Sequence, residues 1–304
     1  MRAVATRHMA NIADFLNARP QLQRRLFFLA RRFVPGETIE SAINAVRALN
    51  ADKLSATLDF LGEDVFSEAD AAHTTDTYVE MIDAIGRAGV DSNVSVKLSA
   101  IGQAIAEDLA VANLMRIIER ARPSNMFVRL DMEGSKTVDS TYRIMERVRS
   151  EYEHVGPVVQ AYLRRAAADV EGHIKEHVRV RLCKGAYGEP PDVAIQEMPL
   201  IRRNFAQLAQ ALLARGNYPG IATHDDFLID AVRSFVEREH IPADRFEYQM
   251  LYGIRPEKQR AIVASGYRMR VYVPFGTHWA GYFYRRIAER KENLYFVARS
   301  LFSR

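Results

Sequence analysis

The sequence predicts an α/β chain folded as a (β/α)8 barrel, with helices ahead of the first strand and the last helix displaced over the barrel mouth. Three observations carry this. Eight short apolar or β-branched runs each precede a longer segment of helical period. The runs are nearly continuous in apolar residues or alternate weakly, as strands do when both faces are covered. Polar and charged residues gather where the runs end, and a barrel of this kind keeps its chemistry at its strand C-termini. A doubly wound open sheet is the alternative; it needs a phosphate-binding glycine turn after an early strand, and no GxGxxG occurs there.

At 304 residues the chain can bury a large core as one barrel or two smaller domains. Apolar residues make up 48% and charged residues 26%, ordinary for a soluble globular protein. The net charge of +4 is too small a bias to argue for nucleic acid. A single cysteine, Cys183, excludes an internal disulfide and fits a reducing, cytoplasmic setting. No signal peptide is evident, and no apolar run reaches the roughly 20 residues that span a bilayer.

Residues 1–35 are expected to form a helical arm, with residues 36–304 as the barrel and its C-terminal helix. The arm is basic, Asp14 being its one acid, and its Leu22, Leu26, Phe27, Leu29, Ala30 and Phe33 recur at helical spacing. It reads as helices packed on the barrel; the sharper reading is a basic amphipathic surface touching anionic lipid at the inner face of the cytoplasmic membrane. Pro35-Gly36 breaks the pattern. Strands are then expected at Lys53–Leu58, Asn93–Leu98, Met126–Leu130, Val158–Ala161, Arg179–Leu182, Ile221–Thr223, Phe246–Met250 and Arg268–Val273. The helices between and after them are expected at Glu68–Ala88, Leu109–Arg122, Thr137–Val148, Tyr162–Glu176, Leu200–Arg215, Phe227–Glu239, Pro256–Ala264 and Thr277–Leu301.

Strand ends assemble the candidate chemistry. Lys97 closes the second strand, Asp131 and Glu133 the third, Gln160 the fourth. The fifth gives Arg181, Cys183, Lys184, Gly185, Ala186 and Tyr187, the sixth Thr223 and His224, the seventh Gln249 and Leu251, the eighth Tyr272. Lys97 and Asp131 on adjacent strands are expected to pair. Two strand-end lysines keep a Schiff-base enzyme open as a reading. Arg181 and Lys184 beside the small Gly185-Ala186 turn suit a pyrophosphate or the electron-rich side of a reduced flavin. His224 could meet a cofactor phosphate or ribose, or be a satisfied rim histidine. Cys183 reads as a buried strand residue, and no spacing reads as a metal site.

Arg285 and Arg286 on the last helix, with Tyr282 nearby, could converge on one small anion, since two guanidinium forks fix a carboxylate in position and angle. A rise of about 1.5 Å per residue puts Arg285 some 12 Å along that helix. Beside its own strand, as usual, it would lie well below the mouth, so the helix is expected to cross the top. There Arg285 and Glu289 have the spacing of an i,i+4 pair.

The segments LDFLGEDV (58–65), VKLS, LDME, RLCKGAY, ATHD, YQMLYG, VYVPFG and YFYRRIAER, in this order over about residues 50 to 295, resemble proline dehydrogenase in its short bacterial form. The resemblance implies a barrel holding FAD, oxidising L-proline to Δ1-pyrroline-5-carboxylate and passing electrons to a membrane quinone, with pyrroline-5-carboxylate dehydrogenase as a partner. By resemblance Arg285, Arg286 and Lys97 grip the substrate carboxylate, and Asp131 orders this cluster. Tyr272 and Leu251 pack on the proline ring, with Ala186, Tyr187 and Tyr282 lining the same pocket. Asp131, Gln160, Arg181, Lys184, Gly185, Ala186, Tyr187, Thr223, His224, Gln249 and Glu289 resemble FAD contacts, with Arg181 near flavin N5. The bulk of Tyr272 favours proline over hydroxyproline.

Overall fold

In the computed structural model, which describes residues 20–62 and 65–289, eight parallel strands close into a barrel in the order of the sequence. Two helices come first, α1 (Pro20–Ala30) and α2 (Ile39–Ala51). Strand and helix then alternate: β1 (Ser55–Phe60), α3 (Glu68–Ala88), β2 (Ser92–Lys97), α4 (Glu107–Ala121), β3 (Val128–Asp131), α5 (Val138–Arg149), β4 (Val155–Gln160) and α6 (Ala166–Lys175). The second half comprises β5 (Arg181–Cys183), α7 (Met198–Arg215), β6 (Gly220–Ala222), α8 (Asp226–Arg238), β7 (Glu247–Leu251), α9 (Pro256–Ala264), β8 (Met269–Phe275) and α10 (Trp279–Glu289). Pairing of β1 with β8, Ser55 opposite Arg270 through Phe60 opposite Phe275, seals the wall.

Local chemistry sets the ends. The Ser67 hydroxyl accepts from the Asp70 amide to start α3, and Gly89, at φ +61°, ends it in the left-handed conformation glycine tolerates. Both bounds match the sequence expectation. Asp225 starts α8 by accepting from the Phe227 amide. Strand limits are less well read: β1 runs two residues beyond its expected end and β4 begins three residues before its expected start. The final helix begins at Trp279 instead of Thr277, and its continuation beyond Glu289 lies outside the described residues.

Outward-facing Ala56, Leu58, Val94, Val96, Leu130, Leu182, Ile221, Met250 and Val271 pack with the helices into the main core. The inward face differs. Barrels of this type fill the interior with Val, Ile and Leu; here Ser95, Arg129, Asp131, Arg181, Glu247, Gln249 and Arg270 join across it.

The helix α2 was not expected. Its Ala42, Ile43, Ala45 and Val46 are buried, and it packs on β8, β1 and α3. That is the groove the helix following β8 fills in a regular barrel. With it occupied, α10 crosses the mouth as expected. Trp279, Ala280, Tyr282 and Phe283 bury against Leu29, Ala30, Phe33 and Val34 of the arm, and against Leu61 and Ile254 beyond β1 and β7. Trp279 meets Phe27 edge-on at 5.6 Å. Gly253 brings the loop after β7 so close to the arm that a Cβ there would lie 1.7 Å from the Arg32 carbonyl oxygen.

On the outer wall His173 is buried in α6, 4.7 Å edge-on from Tyr142, with its Nε2 lacking a hydrogen-bond partner among the described residues. Burial lowers its pKa from 6.5 to about 4, aided by Arg149 and Arg165. The unfolded chain therefore binds a proton between those values that the folded chain refuses. Stability is full above the unfolded pKa and falls as pH drops toward 4, by roughly 3 kcal/mol from this group. Urea unfolding at neutral pH and near the folded pKa should show this loss, and His173→Phe should remove most of it.

Candidate functional site

Asp131, the last residue of β3, is the hub of the barrel mouth. Its Oδ1 accepts from Ser95 Oγ at 2.6 Å and Arg181 Nη1 at 2.8 Å, and its Oδ2 from the Tyr272 hydroxyl at 2.8 Å. Ser95 is on neighbouring β2, but Arg181 and Tyr272 come from β5 and β8, so their bonds cross the interior. Arg181 Nε donates to Gln249 Oε1 at 2.5 Å, and Gln249 Nε2 to Glu247 Oε1 at 2.6 Å. Below them Arg270 pairs with Glu247 at 2.8 Å. The Arg181 guanidinium lies 5.4 Å from the Tyr272 ring centroid, and its Nη2 is buried with no hydrogen-bond partner among the described residues. Burial and the Asp131 and Asp59 charges push the Tyr272 hydroxyl well above its ordinary pKa, so it remains a donor.

Lys97 and Asp131 are Cα partners in the β2–β3 register, but the expected pair between them does not form. Lys97 Nζ donates to both oxygens of Asp59, at 2.7 and 2.8 Å, while Asp131 is matched by Arg181. These two buried pairs thus set charge against charge. Asp59 is fully buried; burial pushes its carboxyl up while the Lys97 ammonium pulls it back. It lies one residue past the expected end of β1 at Leu58. The available signal was a carboxylate inside the apolar run from Leu54 to Leu61.

The α10 helix roofs this mouth. Tyr282 and Phe283 pack with partly buried Leu251 and Tyr272. Arg286 is 8% exposed, its guanidinium 5.1 Å from the Tyr282 ring centroid. The side chains of Arg285 and Glu289, and with them the expected pair, lie outside the described residues.

Beside the mouth, at the ends of β5 to β7, a cleft of about 840 Å3 is lined by Arg32, Lys184, Arg202, His224, Asp225 and Arg255 among others. That volume is within the range of ligand and cofactor sites. Asp225 accepts from Lys184 at 3.0 Å and from Arg202 at 2.7 Å while capping α8. His224 Nε2 accepts from the Leu251 amide at 2.9 Å, which leaves Nδ1 to carry the ring hydrogen. The Thr223 hydroxyl accepts from the Asp225 amide. Gly185 has φ +111°, and a Cβ on it would fall 2.1 Å from the Tyr162 ring, so glycine is required there. Ala186 is exposed on this loop, while Tyr187 lines a smaller cavity of about 360 Å3 with Ser99 and Glu133. Gln160 Nε2 donates to the Glu133 carbonyl at 2.8 Å.

Lys97 and Lys184 are each engaged in an ion pair, with Asp59 and Asp225, which disfavours the Schiff-base reading. Burial pushes the Cys183 thiol up to about 12, as suits an inert strand residue. Among the described residues no cluster of His, Cys, Asp and Glu could hold a metal ion.

A sequence profile described as proline dehydrogenase matches residues 42–299. The chain belongs to the proline dehydrogenase family. It is 43% identical over 272 residues to proline dehydrogenase 1 of Bacillus subtilis subsp. natto, covering 90% of each. It is 42% identical over 292 residues to the Deinococcus radiodurans proline dehydrogenase, covering 93% of this chain and 94% of that one. Its fold matches a crystal structure of proline utilization A (PutA) from Bdellovibrio bacteriovorus inactivated by N-propargylglycine, with a TM-score of 0.80 and 26% identity. That match covers 88% of this chain and 33% of PutA, so this family member spans about a third of the larger protein. Family membership makes the chain an oxidoreductase, and its barrel is the one PutA shares.

Removing the hub carboxylate should be severe. Asp131→Ala leaves Arg181 buried without its counter-charge, which costs about 3–5 kcal/mol. Denaturant unfolding of the variant measures it; a loss below about 1 kcal/mol, the scale of an exposed pair, would mean that water screens this network.

Proposed function

We propose that this enzyme oxidises L-proline to Δ1-pyrroline-5-carboxylate with FAD as its cofactor, delivering the electrons to a membrane quinone. The observation that carries the reading is Arg286, a buried cation on the roof helix beside Tyr282, which itself packs with Tyr272 at the mouth that also holds Lys97. Buried cations beside aromatic walls suit a small carboxylate with an apolar ring.

The residues fit a flavin dinucleotide. Arg181 Nη2 is a buried N–H with no partner among the described residues, in the lumen beside Asp131, where a negative flavin edge could accept from it. Lys184, Arg202, His224 and Arg255 would hold the diphosphate and ribose in the adjoining cleft. Gln160, Gly185, Thr223 and Gln249 would support the ring system from the strand ends, and Asp131 would fix Arg181 toward it. When bound, FAD supplies the two-electron acceptor for hydride.

The chain's own part is orientation. Arg286, with Arg285 beside it in sequence, grips the carboxylate, and Lys97 adds a third cation. Holding a reactant in one attack geometry is the largest contribution a protein makes to such a transfer. The Tyr272 ring, pinned by its hydroxyl to Asp131, and Leu251 pack on the proline ring and leave no space for a ring substituent. The proline nitrogen releases a proton to solvent, its lone pair forms the C5=N bond, and hydrogen leaves C5 with both electrons. Ala186 and Tyr187 complete the lining of the pocket. No helix among the described residues is long and apolar enough to cross a membrane; the basic arm, including exposed Arg25, Arg31 and Arg32, is the part that would rest on anionic lipid near a quinone. A pyrroline-5-carboxylate dehydrogenase would consume the product.

Anaerobic addition of L-proline to the FAD-loaded protein should bleach its visible absorbance, with a rate that rises with pH as the amine deprotonates. A flavin that stays oxidised in excess proline contradicts the reading. Tyr272→Ser should raise activity on 4-hydroxyproline relative to proline, measured as the ratio of kcat/KM values.

A further inference from the structure

Asp59 ends the inward face of β1 and spends both carboxylate oxygens on Lys97. A bidentate, fully buried carboxylate fixes an ammonium in space and stabilises its charge. We propose that Asp59 is a positioning residue of the proline site: it holds Lys97 against the substrate carboxylate and keeps it protonated at the alkaline pH where the proline amine gives up its proton. This rests on the carboxylate clamp described above.

A chemical conflict makes such a residue necessary. The ring nitrogen must be uncharged before hydride leaves, which favours high pH, yet the carboxylate needs cations at that same pH. Arginine satisfies this unaided because it keeps its proton. A buried lysine does not: without an adjacent negative charge, burial drives it toward the neutral amine.

The other groups around the pair cannot take over this task. Tyr78 from α3 has its hydroxyl 3.5 Å from Asp59 Oδ1, but burial keeps it a neutral phenol, as it does Tyr272 from β8. Asp131 from β3 is matched by Arg181 from β5. Glu133, beyond β3, accepts from the Ser99 amide and hydroxyl. Arg286 from α10 is a like charge and opposes the lysine ammonium. Glu63 and Asp64, which follow β1, lie outside the described residues. Among the described residues Asp59 is the carboxylate that hydrogen-bonds Lys97.

The test uses FAD-loaded full-length protein and cyclopentanecarboxylate, a ring carboxylate with no amine to titrate, as a competitive inhibitor. Its Ki is followed from about pH 6 to about pH 10, the span in which a buried lysine would release its proton. The wild type should give a flat profile. Asp59→Asn should give a Ki that rises about tenfold or more through one inflection, the scale of one hydrogen bond to a charged group. In Asp59→Asn/Lys97→Met the inflection should vanish. A flat profile for Asp59→Asn, with Lys97→Met weakening the inhibitor, overturns the role of Asp59 alone. An unaltered Ki in Lys97→Met overturns the part of Lys97 in the clamp as well. Should Asp59→Asn not fold, the wild type and Lys97→Met decide: a wild-type inflection well below the lysine range overturns the role of Asp59, and a flat wild-type line together with a weakened inhibitor in Lys97→Met supports it.

Discussion

The groove between β8 and β1 can seat one helix, and α2 is in it. The site depends on that occupancy. Parallel strands need their outer face covered, and Ala42, Ile43, Ala45 and Val46 cover this part of the wall before the last helix leaves β8. The displaced α10 still has apolar surface to bury. It finds the arm on one side and the mouth on the other, through Trp279, Tyr282 and Phe283. A helix that would otherwise be scaffold becomes the roof of the pocket, and Arg286 goes under cover with it.

The interior below that roof is unusually polar for such a barrel. Buried ion pairs are poor sources of stability, because desolvation offsets most of their attraction. The fold tolerates Asp131–Arg181, Asp59–Lys97 and Glu247–Arg270 because each charge is matched within hydrogen-bond distance. Such a network resists rearrangement: moving one member strands another. That rigidity is what a site working by orientation needs, and the apolar outer core supplies the stability the lumen does not.

The alternation of short runs and helical segments made the barrel legible, and the bounds of α3 and α9 were read to the residue. The segment Ile39–Ala51 was not legible as a helix because, alanine-rich and weakly apolar, it follows the Pro35-Gly36 break and resembles a connection. The polar lumen was hidden for a different reason. Ser95 and Lys97, Arg129 and Asp131, Glu247 and Gln249 alternate with apolar residues at period two, but strands of three to seven residues show too little of the pattern. Which charges meet was not readable at all: Lys97 and Asp59 are 38 positions apart and Arg181 and Asp131 are 50. Lys97 and Asp131 were neighbours as foreseen, but Lys97 pairs with Asp59 on its other neighbour, β1, and Asp131 with Arg181 from β5, across the ring.

The most direct measurement compares L-proline with pyrrolidine, the same ring without its carboxylate, in the wild type and in Arg286→Ala. If a buried guanidinium under the roof helix grips the carboxylate, the ratio of kcat/KM for proline over pyrrolidine should fall about 10- to 100-fold in the variant, the worth of one charged hydrogen bond. Equal losses on both substrates, leaving the ratio unchanged, would contradict the account.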